Sequence, residues 1–200
     1  MSRRRLRPHS ATFYARDTVG VARALLGCVL ESRIGGRHVS GRIVEVEAYV
    51  GAEDPADHGY GGRRTARNQA LFGPPGTLYV FRSYGVHWCI NAVTEREGLP
   101  TAVLLRSLQP LSGLDVMALR RGVTDPHRLC SGPGRLCQAL GVTGRHNGAR
   151  LDRGVLRIFP PPVRAEVEVV AGPRVGISRA ADWPLRFTER GSPWVSRPVR

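Results

Sequence analysis

Short strand-like runs joined by connections of hairpin length constrain the fold of this chain more than any other feature. Residues 28 to 33 and 38 to 50 flank Gly35-Gly36, which has the composition of a tight hairpin turn. Further runs fall at residues 77 to 81, 86 to 93, 101 to 107, 163 to 170 and 174 to 178. Short connections favour antiparallel pairing and argue against a repeating strand-helix-strand order. We therefore expect an α+β fold with a curved, mostly antiparallel β-sheet, surrounding helices and a protruding β-hairpin.

Three segments carry helical signals, and we expect them to surround the sheet. Asp17 can cap a short helix that ends before Gly27, because the apolar positions between them fall on one side. A second helix is predicted at residues 112 to 121, with Asp115 at the capping-box position. A third is predicted at residues 131 to 140. The regions predicted to be loops are residues 141 to 162 and the proline-containing tail.

The chain is long enough for one hydrophobic core, since 42% of its 200 residues are hydrophobic. We expect a single domain at residues 13 to 200. Residues 1 to 12 carry five basic residues, counting His9, and no acidic ones, which predicts a flexible basic arm. The apolar runs are far shorter than the roughly 18 residues of a spanning helix, and the basic start lacks the apolar run of a secretory signal. We expect no membrane span and a cytoplasmic location, at the nucleoid if the source is bacterial.

A large excess of positive charge indicates the class of partner. The net charge is +14, and all thirty basic residues are arginine. Such an excess favours polyanionic partners, with nucleic acid as the first candidate and an anionic membrane surface as the second. Because the chain has no lysine, no lysine amine is available to form a Schiff base with a substrate.

The cysteines and the acidic cluster do not favour a metal site. The four cysteines form no Cys-x-x-Cys pair, and we interpret all four as buried or incidental thiols. Asp54, Asp57 and His58 are a conceivable cation site, but hard cations usually have more oxygen ligands and zinc prefers cysteine or further histidines. We therefore expect no metal and no cofactor.

The run from residue 38 to residue 50 carries the candidate chemistry. Alternate residues of a strand face opposite ways, so Glu45, Glu47 and Tyr49 share one face. A solvated outer face is one interpretation. The position of these residues favours a second interpretation, a role in chemistry, because five of the sixteen acidic residues lie between 41 and 60, directly before an arginine cluster. A carboxylate beside a phosphate backbone opposes binding, so its presence is better explained by chemistry at a base.

That chemistry would be hydrolysis of an N-glycosidic bond. A carboxylate such as Glu47 can activate water and stabilise positive charge that develops on the sugar. Tyr49, about 7 Å along the same face, could stack on an extruded purine. His58 could close the other side, although a loop histidine bonded to neighbouring carboxylates is the alternative.

Two further segments fit contacts with a duplex. Tyr84-Gly85 lies between two strand-like runs, so Tyr84 could be a wedge that enters the base stack, or a half-buried residue of an ordinary hairpin. The glycine-rich segment 61 to 68 could bring arginines to phosphates, and the start of a helix at Ser131-Gly132 could bind an anion. The phosphate-binding arginines of the first segment are Arg63, Arg64 and Arg67. A solvated loop and a simple helix cap are the respective alternatives.

Several blocks, taken together and in order, closely resemble the alkyladenine DNA glycosylase (3-methyladenine DNA glycosylase) family. The similarity extends from about Phe13 to Trp194. The blocks are RIVEVEAY at 42 to 49, HGYGGRRTARN at 58 to 68, PGTLYV at 75 to 80, Tyr84-Gly85, LCSGP at 129 to 133 and RGSPW at 190 to 194.

The resemblance implies a monomeric, metal-free enzyme that flips damaged purines out of double-stranded DNA and removes them with activated water, without lyase activity. The implied substrates are 3-methyladenine, ethenoadenine and hypoxanthine. Glu47 would be the general base, and Arg106 and the backbone carbonyl of Val175 would help to position the water. Tyr49 and His58 would sandwich the flipped base.

The resemblance also implies roles for four other residues. Tyr84 would be the intercalating wedge, and Asn91 would crowd the exocyclic amine of a normal guanine. Leu104 would support the base-binding pocket. The family often has tyrosine at the position of Phe81, so a stacking surface is kept here without its hydroxyl.

Three other functions stay open. The chain could be a non-catalytic module that binds DNA or RNA through its arginines, with the acidic face in solvent. A formyltransferase-type accessory domain with a similar sheet is a second possibility. A glycosidase of free sugars is a third, although a charge of +14 has little use with neutral substrates.

Overall fold

An eight-stranded antiparallel sheet forms the centre of the fold in a computed structural model, which describes residues 6 to 162 and 167 to 198. The strands are β1 Val29–Ser32, β2 Val39–Tyr49, β3 Leu78–Ser83, β4 His87–Val93, β5 Ala102–Ser112, β6 Leu156–Phe159, β7 Val169–Gly172 and β8 Arg186–Glu189. Six follow the order β3-β4-β5-β2-β1-β6, while β8 pairs with β2 and β7. The α+β fold and its antiparallel sheet are confirmed.

Strand β2 organises the sheet because it pairs along both edges. One edge lies against β5 over almost its whole length. The other edge is shared, since residues 39 to 42 pair with β1 and residues 45 to 47 pair with β8. The acidic part of β2 is therefore enclosed between two strands, and both Glu45 and Glu47 are fully buried.

The described residues include five α-helices beside the sheet: α1 Ala11–Tyr14, α2 Thr18–Leu25, α3 Leu114–Arg121, α4 Pro126–Leu129 and α5 Pro133–Leu140. Asp17 caps α2 as predicted, accepting a hydrogen bond from the N–H of Gly20 at 2.7 Å. The predicted capping box of α3 is wrong. Gly113 is its N-cap in a left-handed conformation, with φ of 69°, and Asp115 lies in the first turn. Only glycine fits there, because a Cβ would lie 2.5 Å from the carbonyl oxygen of His38.

The strand predicted at residues 174 to 178 is wrong. Arg174 instead pairs with Asp54, and the N–H of Val175 donates to the side chain of Glu47, so this N–H bonds to a side chain and not to the backbone of a neighbouring strand. Strands β6 and β8 lie where loops were predicted. Of the run predicted at 163 to 170, residues 163 to 166 lie outside the described residues, and β7 begins at Val169.

Alternation along β2 to β5 separates a hydrophobic core from a functional face. The core side includes Val46 and Ala48 of β2 and Val103 and Leu105 of β5, packed with residues of α2 and α5. The residues between them in sequence, Glu47 of β2 and Leu104 of β5, face the opposite side, and this side is called the functional face because the predicted site residues lie on it. The functional face therefore follows from the two-residue period of the strands.

Three register shifts occur where β2 pairs with β5, and the two next to Glu45 compensate each other. The register shows one extra residue on β2 at Val44 and one extra residue on β5 at Arg106. Because of the first, Ile43 belongs to the same core as Val46, although they are three residues apart. A bulge changes the direction of a side chain locally. The second bulge lies at Arg106, whose side chain contacts both buried carboxylates of β2.

Of the basic arm predicted at residues 1 to 12, residues 1 to 5 lie outside the described residues. The rest contacts the domain. The N–H of His9 donates to the carbonyl of Ile158 at 2.8 Å, and the ring of His9 stacks on Phe13 with centroids 3.6 Å apart. Within the described part of the chain, no helix has the length and apolar character needed to cross a membrane.

Candidate active site

A row of register partners runs across five strands of the functional face. Reading across β3, β4, β5, β2 and β8, the partners are Tyr79, Asn91, Leu104, Glu47 and Arg186. Cross-strand partners point to the same side of a sheet. Residues that are far apart in the sequence are therefore brought into one line.

A cavity of about 1040 Å³ lies along this face. That volume is at the upper end of the range usual for small-molecule sites, and a purine base fits within it. The predicted residues that line it are Tyr49, His58, Phe81, Asn91, Leu104, Arg106 and Val175, together with Arg63, Arg67 and Tyr84. The fold therefore brings these residues, from β2, β3, β4, β5 and three loops, together around one cavity.

Glu47 is fully buried beside this cavity. Its Oε1 accepts a hydrogen bond from the N–H of Val175 at 2.7 Å and lies 3.2 Å from Nη1 of Arg106. Its Oε2 accepts a hydrogen bond from the hydroxyl of Tyr49 at 3.0 Å. All three partners line the cavity, so Glu47 lies directly behind the cavity wall. The sequence did not predict the N–H contact of Val175, and the role of its carbonyl stays a prediction.

The surroundings of Glu47 affect its proton affinity in opposite directions. Burial raises the pKa of Glu47 above its ordinary value, while Arg106 and the N–H of Val175 oppose the rise. Burial also opposes the charge on Arg106, but Glu47 and Glu45 hold the pKa of Arg106 above its usual value. Arg106 therefore stays a cation next to a carboxylate that can take up a proton.

A buried ion pair supports Tyr49 from one side. The guanidinium of Arg174 lies 4.7 Å from the centroid of the Tyr49 ring and donates to Asp54 at 2.5 and 2.8 Å. Arg174 also donates to the carbonyl of Ala48 at 3.1 Å. Sequence reasoning placed Arg174 at the start of a predicted strand and missed its role, because nothing in the sequence marks this arginine as buried.

This pair also bears on the conceivable cation site at Asp54, Asp57 and His58. Asp54 is engaged by Arg174, and Asp57 accepts hydrogen bonds from the N–H groups of Gly51 and Gly59 at 3.2 and 2.7 Å. Burial raises the pKa of Asp57 to about 7. Within the described residues, no cluster of three or more His, Cys, Asp or Glu side chains has the geometry of a metal site.

Three rings form one wall of the cavity. Nδ1 of His58 shares a hydrogen bond with the hydroxyl of Tyr79 at 2.8 Å, and the ring of His58 meets Phe81 edge to face at 4.4 Å. Tyr79 and Phe81 stack with centroids 5.6 Å apart. Burial lowers the pKa of His58, which favours its neutral form. The alternative of a histidine bonded to carboxylates is wrong. Tyr79 was missed, although its spacing from Phe81 on a strand was the available signal.

The tip of the β3–β4 hairpin presents Tyr84 to solvent. Tyr84 and Gly85 have φ of 49° and 68°, and two successive positive values are typical of a type I′ turn. Tyr84 is 88% exposed, so the alternative of a half-buried tyrosine is wrong. A large aromatic side chain held in water in a left-handed conformation contributes little to the core, which leaves it free for a partner.

The predicted phosphate contacts fall at two places. Arg63, Arg64 and Arg67 are exposed, and Arg64 also donates to Gln69 at 2.9 Å. Ser131 and Gly132 precede α5, where Oγ of Ser131 accepts a hydrogen bond from Arg135 at 3.1 Å. Neither Arg64 nor Ser131-Gly132 lines the cavity, which suits groups that would contact a backbone and not a base.

The four cysteines are buried and unpaired, as predicted. Cys89 lines the cavity, and burial raises its pKa to about 11. It is therefore a neutral thiol that contributes to the apolar lining.

Comparison with known proteins gives the same family over nearly the whole chain. The family model described as methylpurine-DNA glycosylase (MPG) matches residues 12 to 193. A relative from Nitrosospira multiformis is 49% identical over 187 residues, which covers 94% of this chain and 93% of the relative. A relative from Methanoculleus marisnigri is 52% identical over 190 residues, with 94% and 97% covered. A relative from Rhodopseudomonas palustris strain HaA2 is 50% identical over 193 residues, with 96% and 92% covered.

Each of these relatives carries the name "Putative 3-methyladenine DNA glycosylase". The resemblance seen in the sequence blocks is thereby confirmed. This chain belongs to the methylpurine-DNA glycosylase family.

Proposed function

We propose that this protein is a monofunctional DNA glycosylase that excises alkylated or deaminated purines from double-stranded DNA as a monomer, without metal or cofactor. The names of its relatives give the coarse activity. The observation that carries the finer proposal is Glu47, a fully buried carboxylate held by Tyr49, Arg106 and Val175 beside a cavity that is large enough for a purine base.

The proposed reaction is hydrolysis at C1′ of the damaged nucleotide. Glu47 takes a proton from water, and the water oxygen bonds to C1′. The bond from C1′ to the base nitrogen breaks, and its electron pair leaves with the base. A cationic alkylated purine thereby leaves as a neutral base, and Glu47 releases its proton to solvent. A purine that was neutral takes up one proton as it leaves. The products are a free purine and an abasic site with an intact backbone. Positive charge that develops on the sugar is stabilised by the carboxylate, since Coulomb attraction is strong at a buried site.

Arg106 has two proposed effects on this step. Its Nη1 lies 3.2 Å from Oε1 of Glu47 and so fixes the carboxylate in one orientation. Its charge also opposes the rise in the pKa of Glu47, which leaves more of the base ionised at neutral pH. The hydroxyl of Tyr49 adds a second constraint on the same carboxylate.

The base would be held by aromatic rings and read by few polar groups. Tyr49 is the proposed stacking surface on one side, with His58 and Phe81 on the other. A neutral His58 bonded to the Tyr79 hydroxyl places no positive charge against an alkylated purine. Asn91 is buried in the row beside Leu104, with its Nδ2 donating to the carbonyl of Tyr79 at 3.2 Å. A fixed amide at that position would crowd the exocyclic amine of guanine.

Extrusion of the base needs a group to fill the gap that it leaves. Tyr84 is proposed for that role because it is exposed at a hairpin tip and also lines the cavity. Arg63, Arg64, Arg67 and the Ser131-Gly132 turn are proposed to hold the flanking phosphates. These contacts give affinity that falls with salt, while the cavity gives selectivity.

The proposal of hydrolysis without strand cleavage rests on the composition. Backbone-cutting glycosylases use an amine that forms a Schiff base with the sugar, and the sequence has no lysine. Borohydride is therefore expected to trap no covalent adduct with lesion DNA. A stable adduct would exclude water as the nucleophile.

The deciding experiment is a panel of duplexes, each with one 3-methyladenine, ethenoadenine or hypoxanthine, followed by alkaline cleavage at abasic sites. We expect alkali-dependent strand breaks at the lesion and no break without alkali. Binding to every duplex without any break would instead indicate a non-catalytic module. Breaks without alkali would indicate lyase activity.

A further inference from the structure

We infer that the C-terminal segment, residues 194 to 198, is part of the active site, and that Ser196 is a positioning residue for Arg106. This inference rests on the proposed function, because it concerns the step in which Glu47 activates water. Ser196 lies 149 positions after Glu47 in the sequence, and it forms hydrogen bonds with Arg106, which lines the cavity, and with Glu45.

Ser196 makes three polar contacts with the buried charges. Its N–H donates to Oε2 of Glu45 at 2.5 Å, and its hydroxyl donates to Oε1 of Glu45 at 2.8 Å. Nη2 of Arg106 donates to the same hydroxyl oxygen at 3.3 Å. The hydroxyl therefore donates to the carboxylate and accepts from the guanidinium, so that it connects the two.

Arg106 is held at three of its nitrogens by three different residues. Nε donates to Glu45 at 2.8 Å, Nη1 lies 3.2 Å from Glu47, and Nη2 donates to Ser196. A guanidinium is planar, so three fixed contacts determine both its position and its plane. Without the hydroxyl, Arg106 is free to turn toward a two-pronged pair with Glu45 and away from Glu47.

A rotation of Arg106 of this kind would give Glu45 the hydrogen bond that it loses from Ser196. Glu45 is fully buried, and Nε of Arg186 donates to it at 2.8 Å in addition to the contacts with Arg106 and Ser196. Replacement of the Ser196 hydroxyl removes one donor from a buried carboxylate, which must recover it from a neighbour. Arg106 is the neighbour that also contacts Glu47, so compensation at Glu45 weakens the catalytic contact.

The segment is fixed on both sides of Ser196. The hydroxyl of Ser107 on β5 donates to the carbonyl of Trp194 at 2.5 Å, and the ring of Trp194 stacks on His127 of α4 at 4.0 Å. On the other side, Arg186 of β8 donates to the carbonyl of Arg197. The segment therefore contacts three elements of the fold, β5, α4 and β8, which fix the position of Ser196 beside Arg106.

The test compares Ser196→Ala with Ser196→Thr, which restores a hydroxyl, and with Ser192→Ala as a matched control. Ser192 lies two residues before that segment, and its hydroxyl accepts a hydrogen bond from the N–H of Trp194 at 3.4 Å. Excision under single-turnover conditions, affinity for lesion DNA, the pH profile of excision and the thermal midpoint are measured for each full-length variant.

We expect Ser196→Ala to excise about 10-fold more slowly, since it loses a hydrogen bond between charged partners, while its affinity and thermal midpoint change little. Because Arg106 then opposes the rise in the pKa of Glu47 less, the acid limb of the pH profile should move to higher pH. Ser196→Thr should recover most of the rate, and Ser192→Ala should match wild type.

Two results would overturn the inference: a Ser196→Ala rate and pH profile equal to wild type, or a loss of rate that only follows a loss of folded protein or of affinity. If wild type itself excises no lesion from the panel, the proposed function fails, and that outcome is distinct from an unchanged Ser196→Ala variant of an active enzyme.

Discussion

Replacement of Asp54 by asparagine removes one charge from the ion pair that anchors the loop beside Glu47. Asp54 and Arg174 have fully buried side chains, and their atoms lie 2.5 and 2.8 Å apart. Asparagine has nearly the same size, so the change leaves Arg174 as an unpaired buried cation. Breaking a buried pair in this way costs about 3 to 5 kcal/mol. For a domain of this size, that loss lowers the thermal midpoint by about 6 to 20 °C.

The assay is urea unfolding of Asp54→Asn and wild type, with Asp152→Asn as the matched control. Asp152 pairs with Arg150 at 3.3 Å, but the two side chains are 25% and 18% exposed, so solvent screens the pair. Its loss is expected to cost less than about 1 kcal/mol. Equal losses in the two variants would refute the reasoning that burial makes the Asp54 pair decisive.

The same substitution is also expected to slow excision. Arg174 precedes Val175, whose N–H donates to Glu47 at 2.7 Å. Release of Arg174 from Asp54 and from the carbonyl of Ala48 removes the anchor of that N–H. The expected result, in conditions where the variant is folded, is a lower single-turnover rate with lesion-DNA affinity close to wild type. An unchanged rate would show that Val175 keeps its position without the pair.

Three other results are expected. The excision rate should rise with pH through a midpoint above the ordinary glutamate pKa of about 4.3, because burial raises the pKa of Glu47 and Glu47 must be ionised to act as general base. A midpoint at or below that value would exclude Glu47 as the titrating group. An acid whose pKa is higher in the folded than in the unfolded state stabilises the protein fully below the unfolded pKa, and this stabilisation is lost as pH rises through the folded pKa. At pH 8, Glu47→Gln should therefore melt at or above the wild-type temperature. A clearly lower melting temperature would contradict this expectation. Tyr84→Ala should change folding stability by less than about 0.5 kcal/mol, since Tyr84 is 88% exposed, yet should slow excision from duplex DNA; an unchanged rate would exclude the wedge.

The sequence predicted the strand that holds Glu47 and Tyr49 because both its alternation and its connections are local signals. The two-residue alternation of β2 places Glu47 and Tyr49 on one face, and hairpin-length connections predicted the antiparallel partners. The turn at Tyr84-Gly85 was predicted from its place between two strand-like runs, whereas the sequence left open whether Tyr84 is exposed or half buried. Local patterns of this kind are readable without knowledge of the tertiary structure.

The parts that were missed depend on contacts between distant segments. Glu45 and Glu47 lie on the same face of the predicted strand, so the sequence does not distinguish them. Only the pairing with β8 and the position of Ser196 show that Glu45 belongs to a buried cluster with Arg106. The segment after β7 has an apolar alternation that predicted a strand, but a buried partner at Asp54 fixes it as a loop. The bulges at Val44 and Arg106 have no sequence signal, because they follow from register across two strands.

The central claim is that Glu47 activates the water that displaces the damaged base. Its most direct measurement is single-turnover excision from an ethenoadenine duplex by Glu47→Gln, with Glu31→Gln as a control at a carboxylate outside the cavity. We expect Glu47→Gln to bind the duplex like wild type and to lose roughly 10²- to 10⁴-fold in rate, while Glu31→Gln stays unchanged. A Glu47→Gln rate within a few fold of wild type would contradict the account.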